Sequence, residues 1–174
     1  MEQLIKLAKE GNQEAFTKAI LLIEDELYKI ARARLDCESD IEDAVQETII
    51  EAFYSLKKLR KIEYFKTWII RILINKCNRI YKKRKKEIMI DDEYIINNKT
   101  SNIIENTEGN INFYNIIENL NYEERVVLIL HYDMEYTTKD ISKILKMKEN
   151  TVKSKILRSK KKIKNILKGE VYYG

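Results

Sequence analysis

The sequence predicts an all-α fold in which two small helical domains are joined by a flexible linker. The 174 residues include no proline and only four glycines, so few positions interrupt a helix. Apolar residues recur at intervals of three and four through both halves of the chain, as in helices with one buried face. Residues 89–112 lose this period and are polar, acidic and rich in asparagine, which is typical of a linker. We therefore expect domains at residues 1–88 and 113–170.

The N-terminal domain begins with a short amphipathic segment that stops near Gly11. Asn12 is placed to cap the next helix, whose apolar stripe runs from Phe16 to Ile30. Ser39 and Glu42 have the spacing of a capping box, which predicts that another helix starts there. A basic turn then leads into a long helix that ends in lysines and arginines at residues 82–87.

The C-terminal domain has the element order of a helix-turn-helix. Asn121 and then Thr137 precede apolar runs and carry a carboxylate three residues later, so each predicts a helix start. The helix after Thr137 is short, residues 146–149 leave room for only a tight turn, and a longer basic helix comes next. A short helix, a turn and a basic helix are typical of a domain that places its last helix in the major groove of DNA.

The charge of the chain is arranged in blocks. The net charge is +5, but residues 57–86 hold thirteen basic and one acidic side chain, and residues 138–168 hold twelve basic and two acidic. Between these blocks, residues 87–124 hold nine acidic and one basic side chain. Two cationic blocks on either side of an anionic segment indicate a polyanion binder with two contact surfaces.

Several classes of site are not expected from this sequence. No apolar run approaches the ~20 residues that span a bilayer, and the first residues lack a secretory signal, so we expect a cytoplasmic protein without direct membrane insertion. Cys37 and Cys77 are too far apart for a CxxC motif, and His131 is the only histidine. With no glycine-rich phosphate loop either, we expect no metal, no cofactor, no small-molecule substrate and no catalytic residue.

The last helix has two different faces on a helical wheel. Val152, Ile156 and Ile163 fall together and are predicted to face the core. The residues that share another face are predicted to read base edges in the major groove: Lys153, Ser154, Leu157, Arg158 and Lys161. Four further lysines are expected nearer the phosphates, at positions 155, 160, 162 and 164. The alternative is a lysine-rich amphipathic helix that only closes a bundle.

Both domains resemble conserved regions of bacterial sigma factors. The segment TTKDISKILKMKENTVKSKILRSKKKIKNIL, with LNYEERVVLILHYDMEY before it, is similar to their fourth conserved region. The segment DIEDAVQETIIEAFYSL resembles their second conserved region, and EYFKTWIIRILINKCNRIYKKRKK resembles the segments after that region. Two matched regions in the right order, with only the linker left out, indicate the small extracytoplasmic-function class of the sigma-70 family.

This resemblance implies partners and residue roles. Its partners would be promoter DNA, an anti-sigma factor and core RNA polymerase, through the β′ clamp helices and the β subunit. Asp43, Gln46 and Glu47 match the positions that dock on the clamp helices, and they lie at i, i+3 and i+4 in a segment without cations. The family melts promoters by extruding a base of the minus-ten element, which requires cations and aromatic rings. Seven residues match that region: Arg60, Lys61, Tyr64, Lys66, Asn75, Asn78 and Arg79.

Several positions depart from the pattern of the family, namely Lys146, Lys148, Asn150, Ile74 and the pair Leu120-Asn121. Relatives commonly have glycine near Lys146, so this lysine has to tolerate or avoid a left-handed backbone. Ile74 stands where a polar residue is frequent. These departures leave the predicted fold in place.

Three functions are compatible with some of these observations. The first is an alternative sigma factor that reads a minus-thirty-five element with its C-terminal domain and melts a minus-ten element with its N-terminal one. The second is a helix-turn-helix transcriptional regulator with an N-terminal dimerisation or sensing module. The third is a metal-dependent nuclease, which only the carboxylates at residues 91–93 in the linker favour. The acidic face at Asp43, Gln46 and Glu47 favours the first.

Overall fold

The computed structural model of the chain describes residues 1–90 and 113–167, and for residues 86–90 it describes the backbone alone. The residues described contain helices and turns and no strand, so the predicted all-α class is confirmed. Of the predicted linker, 89–112, only the first two residues are described, and they end a helix. The rest of that prediction lies outside the described residues.

Residues 1–90 form the N-terminal bundle. Its helices are α1 (Glu2–Lys9), α2 (Gln13–Leu21), α3 (Glu24–Arg34), α4 (Glu38–Ser55) and α5 (Phe65–Ile90), with 3-10 turns at Leu56–Lys58 and Ile62–Tyr64 between the last two. The apolar stripe that predicts one helix from Phe16 to Ile30 is divided, because the backbone leaves helical geometry at Ile23. Ile23 is nevertheless buried, so the stripe stays in the core across the break.

Residues 113–167 form the C-terminal bundle. Its helices are α6 (Phe113–Ile117), α7 (Tyr122–Leu128), α8 (Thr138–Leu145) and α9 (Glu149–Leu167), and a π-helical turn at Ile129–Asp133 extends α7. The chain turns from α8 to α9 at Lys146, which adopts a left-handed conformation with φ 53° and ψ 43°. The short helix, tight turn and long basic helix predicted from the sequence are therefore present.

Three of the predicted helix caps are present, and one is wrong. The side-chain oxygens of Asn12, Asn121 and Thr137 each accept a hydrogen bond from the backbone amide three residues later, at 2.9–3.1 Å. The capping box predicted at Ser39 is not formed, because α4 begins at Glu38, two residues earlier than a cap at Ser39 requires, and Cys37 is at the cap position. Ser39 therefore lies inside the first turn, where its hydroxyl contacts Cys37 Sγ at 3.2 Å.

Burial of large aliphatic side chains holds each bundle together. In the N-terminal bundle, α4 and α5 pack side by side, and Ile41, Ile69 and Leu73 between them are fully buried. In the C-terminal bundle, Leu130 and Val152 have no solvent exposure. Each such side chain contributes roughly 1.5–3 kcal/mol relative to an exposed one. The two bundles also touch each other, because α7 packs on α3 and α8 packs on α5.

Candidate nucleic-acid and protein interfaces

The outward face of α9 is fully accessible. Val152 and Ile156 are buried against α7 and α8, as predicted, and Ile163 is partly buried. The five residues predicted to read bases are all exposed: Lys153, Ser154, Leu157, Arg158 and Lys161. Leu157 is 70% exposed among them. A leucine that gains nothing from the core and is surrounded by cations is suited to an apolar contact outside the domain, such as a thymine methyl group.

Local hydrogen bonds fix how two of these side chains are presented. The Ser154 hydroxyl donates to the Asn150 carbonyl at 2.8 Å, so its oxygen keeps lone pairs free to accept. Lys153 Nζ lies 2.8 Å from Glu149 Oε1, and this contact lowers the pKa of the Glu149 carboxyl. The second turn of α9 therefore presents an acceptor and a partly neutralised cation, while Arg158 presents the charge of the following turn.

Two of the lysines expected at phosphates are used inside the domain instead. Lys155 Nζ contacts Glu123 Oε2 at 2.5 Å, and Lys162 Nζ contacts Glu124 Oε1 at 2.9 Å. Both pairs tie α9 to the start of α7. A lysine held by a carboxylate of its own domain is less available to DNA than Lys160, Lys161 or Lys164, which are exposed.

On the acidic face of α4, one residue is paired with cations of α5 and two are exposed to solvent. Asp43 and Gln46 are exposed, whereas Glu47 is half-buried against α5. The Glu47 carboxylate accepts a hydrogen bond from Arg79 and lies 3.3 Å from Lys76 Nζ. The three residues are on one side of α4, as their spacing predicts, but only two present their polar groups to solvent alone.

The seven residues matched to the minus-ten region differ in their surroundings. Five are exposed at the turn before α5 or on α5 itself: Arg60, Lys61, Tyr64, Asn75 and Arg79. Three of the seven have a hydrogen-bond or ion-pair partner: Lys66 Nζ contacts Glu26 Oε1 at 2.7 Å, the side-chain oxygen of Asn78 accepts from Arg34, and Arg79 contacts Glu47. Tyr64 is 49% exposed, so a base has access to its ring.

Arg71 is a residue that the sequence argument missed. It is exposed on α5 one turn before Asn75 and two turns before Arg79, and so extends their stripe. The spacing of four residues was the available signal. It is obscured in the sequence because Arg71 lies between isoleucines that are buried.

Cys77 and His131, the side chains considered for redox or metal chemistry, are each engaged within the fold. Burial raises the pKa of the Cys77 thiol to about 12, and the Nδ1 atom of His131 lies 3.2 Å from the Tyr136 carbonyl oxygen. Among the residues described, no three histidine, cysteine or acidic side chains are grouped so as to hold a metal ion. Within the same residues, no helix has the length and apolar character needed to cross a membrane.

Comparisons with known proteins match both bundles. The family models Sigma-70 region 2 and Sigma-70, region 4 match residues 20–87 and 111–163. RNA polymerase sigma factor SigV of Bacillus subtilis (strain 168) is 27% identical over 150 residues, which cover 83% of this chain and 89% of SigV. ECF RNA polymerase sigma factor SigW of the same organism is 25% identical over 181 residues and covers 97% of both chains.

Two solved structures have the same fold. Sigma factor RpoE from Bartonella quintana, in complex with the anti-sigma factor NepR, has a TM-score of 0.75 at 22% identity, covering 88% of this chain and 96% of its own. CnrH in complex with the cytosolic domain of CnrY has a TM-score of 0.69 at 21% identity and covers 98% of both chains.

Proposed function

Because the chain belongs to the extracytoplasmic-function sigma factors of the sigma-70 family, we propose that its accessible polar faces divide the work of promoter recognition. The chain is an alternative sigma factor, which binds core RNA polymerase and directs promoter-specific transcription initiation. The division of roles among these faces is supported most directly by α9, where the exposed Leu157 lies among cations on the outer face of a helix-turn-helix.

The C-terminal bundle, residues 113–170 in the proposed division, reads the minus-thirty-five element. Arg158 donates to guanine, Leu157 contacts thymine methyl groups, and Ser154 accepts from an amino group of cytosine or adenine. Lys153 and Lys161 supply further charge on this face. Lys160 and Lys164 lie beside it and contact phosphates, which position the helix without specifying sequence.

The N-terminal bundle, residues 1–88 in the same division, docks on the polymerase and melts the minus-ten element. Asp43, Gln46 and Glu47 contact the β′ clamp helices, because they form an acidic and polar face on α4. Tyr64 stacks on an unpaired base, and Arg60 and Lys61 hold its phosphates. Lys66, Asn75, Asn78 and Arg79 complete this surface, and Arg71 extends it.

Further partners and the place of action are consistent with this role. RpoE is in complex with the anti-sigma factor NepR, and we propose an anti-sigma factor as a partner of this chain too. The chain acts in the cytoplasm, with the polymerase and the chromosome. It carries no catalytic chemistry of its own, since its contribution is binding and DNA strand separation.

The docking assignment is tested by the affinity of labelled chain for core RNA polymerase. We expect the double variant Asp43→Ala with Glu47→Ala to lose binding by tenfold or more while its helical circular dichroism is unchanged. Unchanged polymerase affinity would show that the docking face is elsewhere. A chain that binds duplex DNA but never binds polymerase would instead be a helix-turn-helix regulator with an N-terminal dimerisation or sensing module.

A further inference from the structure

Asn150 lies in the first turn of α9, in the middle of the face proposed to read the minus-thirty-five element. On a helical wheel it falls between Leu157 and Lys161, and Ser154 is its neighbour one turn later. In a helix-turn-helix, the N-terminal residues of the second helix are those that contact base edges. Asn150 is therefore at the end of α9 where a base contact is expected.

The side chain of Asn150 is exposed, and its amide is unused within the chain. Its backbone carbonyl accepts a hydrogen bond from the Ser154 hydroxyl at 2.8 Å. Its side-chain amide, in contrast, has no hydrogen-bond partner among the residues that the structure describes. It does not cap the helix either, since α9 begins one residue earlier, at Glu149. One acceptor oxygen and two N–H donors are thus available to an external partner.

The backbone that carries this amide is held in place by contacts on both sides. Glu149 Oε1 accepts a hydrogen bond from the Thr138 hydroxyl at 2.8 Å, which ties the start of α9 to α8, and lies 2.8 Å from Lys153 Nζ. Val152, two residues after Asn150, has no solvent exposure. A short side chain on such a backbone loses little conformational freedom when it binds.

Cations surround the amide. Lys146 and Lys148, which precede α9, are exposed, and so is Lys153. These ammonium groups attract DNA phosphates to this end of the helix. An uncharged side chain among them adds little to that attraction, so it is better suited to a base edge than to a phosphate.

A carboxamide matches one base in the major groove better than the other three. Adenine exposes the N6 amino group beside the N7 acceptor, so an amide can accept from the first and donate to the second. Guanine presents two acceptors there, thymine an acceptor and a methyl group, and cytosine one donor. Only adenine therefore uses both polar atoms of an asparagine side chain.

We propose that Asn150 is a specificity-determining residue that binds an adenine of the minus-thirty-five element. Its Oδ1 atom accepts a hydrogen bond from N6, and its Nδ2 atom donates one to N7. The inference rests on the proposed reading of this element by α9, and it adds a base to those read by Leu157 and Arg158. Asn150 is one of the positions where the chain departs from the pattern of its family, so the contact is particular to this chain.

Selection from a randomised duplex tests which base Asn150 requires. The full chain in complex with core RNA polymerase is allowed to bind a promoter duplex randomised across the minus-thirty-five element, and the bound DNA is sequenced. The wild type should enrich adenine at one position. Asn150→Asp keeps the size of the side chain but can only accept, so it should enrich cytosine there instead. Asn150→Ala should enrich no base at that position and leave the others unchanged.

The same substitution further along α9 is the matched control. Asn165 lies about 22 Å along the helix axis from Asn150, so Asn165→Asp should select the wild-type sequence. Misfolding would not account for a changed selection by Asn150→Asp. A carboxylate in the first turn of a helix is favourable, so the Tm of this variant should equal or exceed that of the wild type.

A modified base tests the hydrogen bond itself. In 7-deazaadenine the N7 acceptor is replaced by C–H, while pairing with thymine is kept. With this base at the selected position of a fluorescein-labelled duplex, the wild-type complex should bind about fivefold more weakly, as loss of one hydrogen bond predicts. Asn150→Ala should bind the modified and unmodified duplexes equally.

Two results would overturn the Asn150 contact alone. One is selection of the wild-type sequence by both Asn150 variants while Leu157→Ala changes it, which would leave the proposed reading by α9 standing. The other is an equal loss on 7-deazaadenine in the wild type and Asn150→Ala. A wild-type complex that enriches no base in the element would refute the proposed reading and the Asn150 contact together.

Discussion

Glu47 on α4 and Arg79 on α5 form an ion pair that joins the proposed polymerase-docking face to the proposed minus-ten face. Lys76 completes the cluster: its Nζ atom lies 3.3 Å from Glu47 and 2.7 Å from Glu51, and the hydrogen bond to Glu51 is the main cause of its raised pKa. One carboxylate therefore contacts the helix that carries the proposed DNA residues while its neighbours Asp43 and Gln46 face solvent.

Replacing Glu47 should have a different functional result from replacing Arg79, although either change breaks the ion pair. Glu47→Ala should lower polymerase affinity by about tenfold, as loss of a contact at an interface centre does. Arg79→Ala should leave polymerase affinity unchanged and reduce promoter melting, measured by permanganate reactivity of unpaired thymines. Both variants lose the same partly exposed pair, so each should lose less than about 1 kcal/mol of stability. Equal loss of polymerase affinity in the two variants would contradict separate roles.

The outward face of α9 should divide into residues that set sequence preference and residues that set affinity. Leu157→Ala removes no charge, so it should lower binding to a selected minus-thirty-five duplex and leave binding to random duplex unchanged. Lys161→Ala should weaken binding to both duplexes and lower the salt dependence by about one counterion. Titrations at several salt concentrations give both quantities. Lys155→Ala is the control, since its ammonium is held by Glu123 and the salt slope should be unchanged.

Lys146 should be replaceable by glycine with a gain in stability. Its left-handed backbone, with φ 53°, costs an L-residue roughly 1–2 kcal/mol that glycine does not incur. After the greater backbone entropy of glycine is included, Lys146→Gly should stabilise the chain by about 0.5 kcal/mol, seen as a small rise in Tm. Lys143→Gly, in the interior of α8, should destabilise it by about 1 kcal/mol. A lower Tm for Lys146→Gly than for wild type would show that the lysine side chain has a stabilising contact.

The two cysteines should differ sharply in reactivity. A hydrogen bond with Ser39 is the main cause that lowers the pKa of Cys37, whereas burial raises that of Cys77 to about 12. Because the thiolate is the reactive form, an aromatic disulfide reagent at pH 8 should label one thiol quickly and the second only after unfolding. Cys37→Ser should abolish the fast phase. Fast labelling of two thiols in the native wild type would contradict the burial of Cys77.

The buried thiol of Cys77 should make the stability of the folded chain depend on pH in the alkaline range. In the unfolded chain its thiol ionises near its ordinary pKa of about 8.5, and in the folded chain only near 12. Above the lower value the folded state binds more protons than the unfolded state, so stability falls as pH rises between the two values. Cys77→Ala should reduce this slope in denaturant titrations at pH 8 to 11, and an identical slope in the variant would argue against it.

Local features of the fold were predictable from the sequence. The caps at Asn12, Asn121 and Thr137 are formed within three residues, so their residue types predict them. At Lys146 the resemblance to sigma factors, which commonly have glycine there, left open whether the backbone is left-handed, and the structure shows that it is. The capping box predicted at Ser39 was wrong, because nothing in the local sequence distinguishes a serine at the cap from one inside the first turn.

Contacts between distant residues were not predictable. Glu47 and Arg79 are 32 residues apart, and Arg34 and Tyr122 lie in different bundles, so no periodicity within a helix connects them. From the sequence alone, their side chains are indistinguishable from free surface groups. Ile74 was the one local sign of the contact between bundles, because an isoleucine replaces the expected polar residue there and is then found buried.

Run-off transcription with core polymerase and a promoter selected from a random library tests the central claim most directly. The wild-type chain should direct initiation at one defined start site, with sequence preference in two separate promoter elements. The double variant Asp43→Ala with Glu47→Ala should initiate no more than core polymerase alone, although it still binds the upstream element as duplex DNA. Initiation by the double variant at the wild-type level, or none by a folded wild-type chain, would contradict the account.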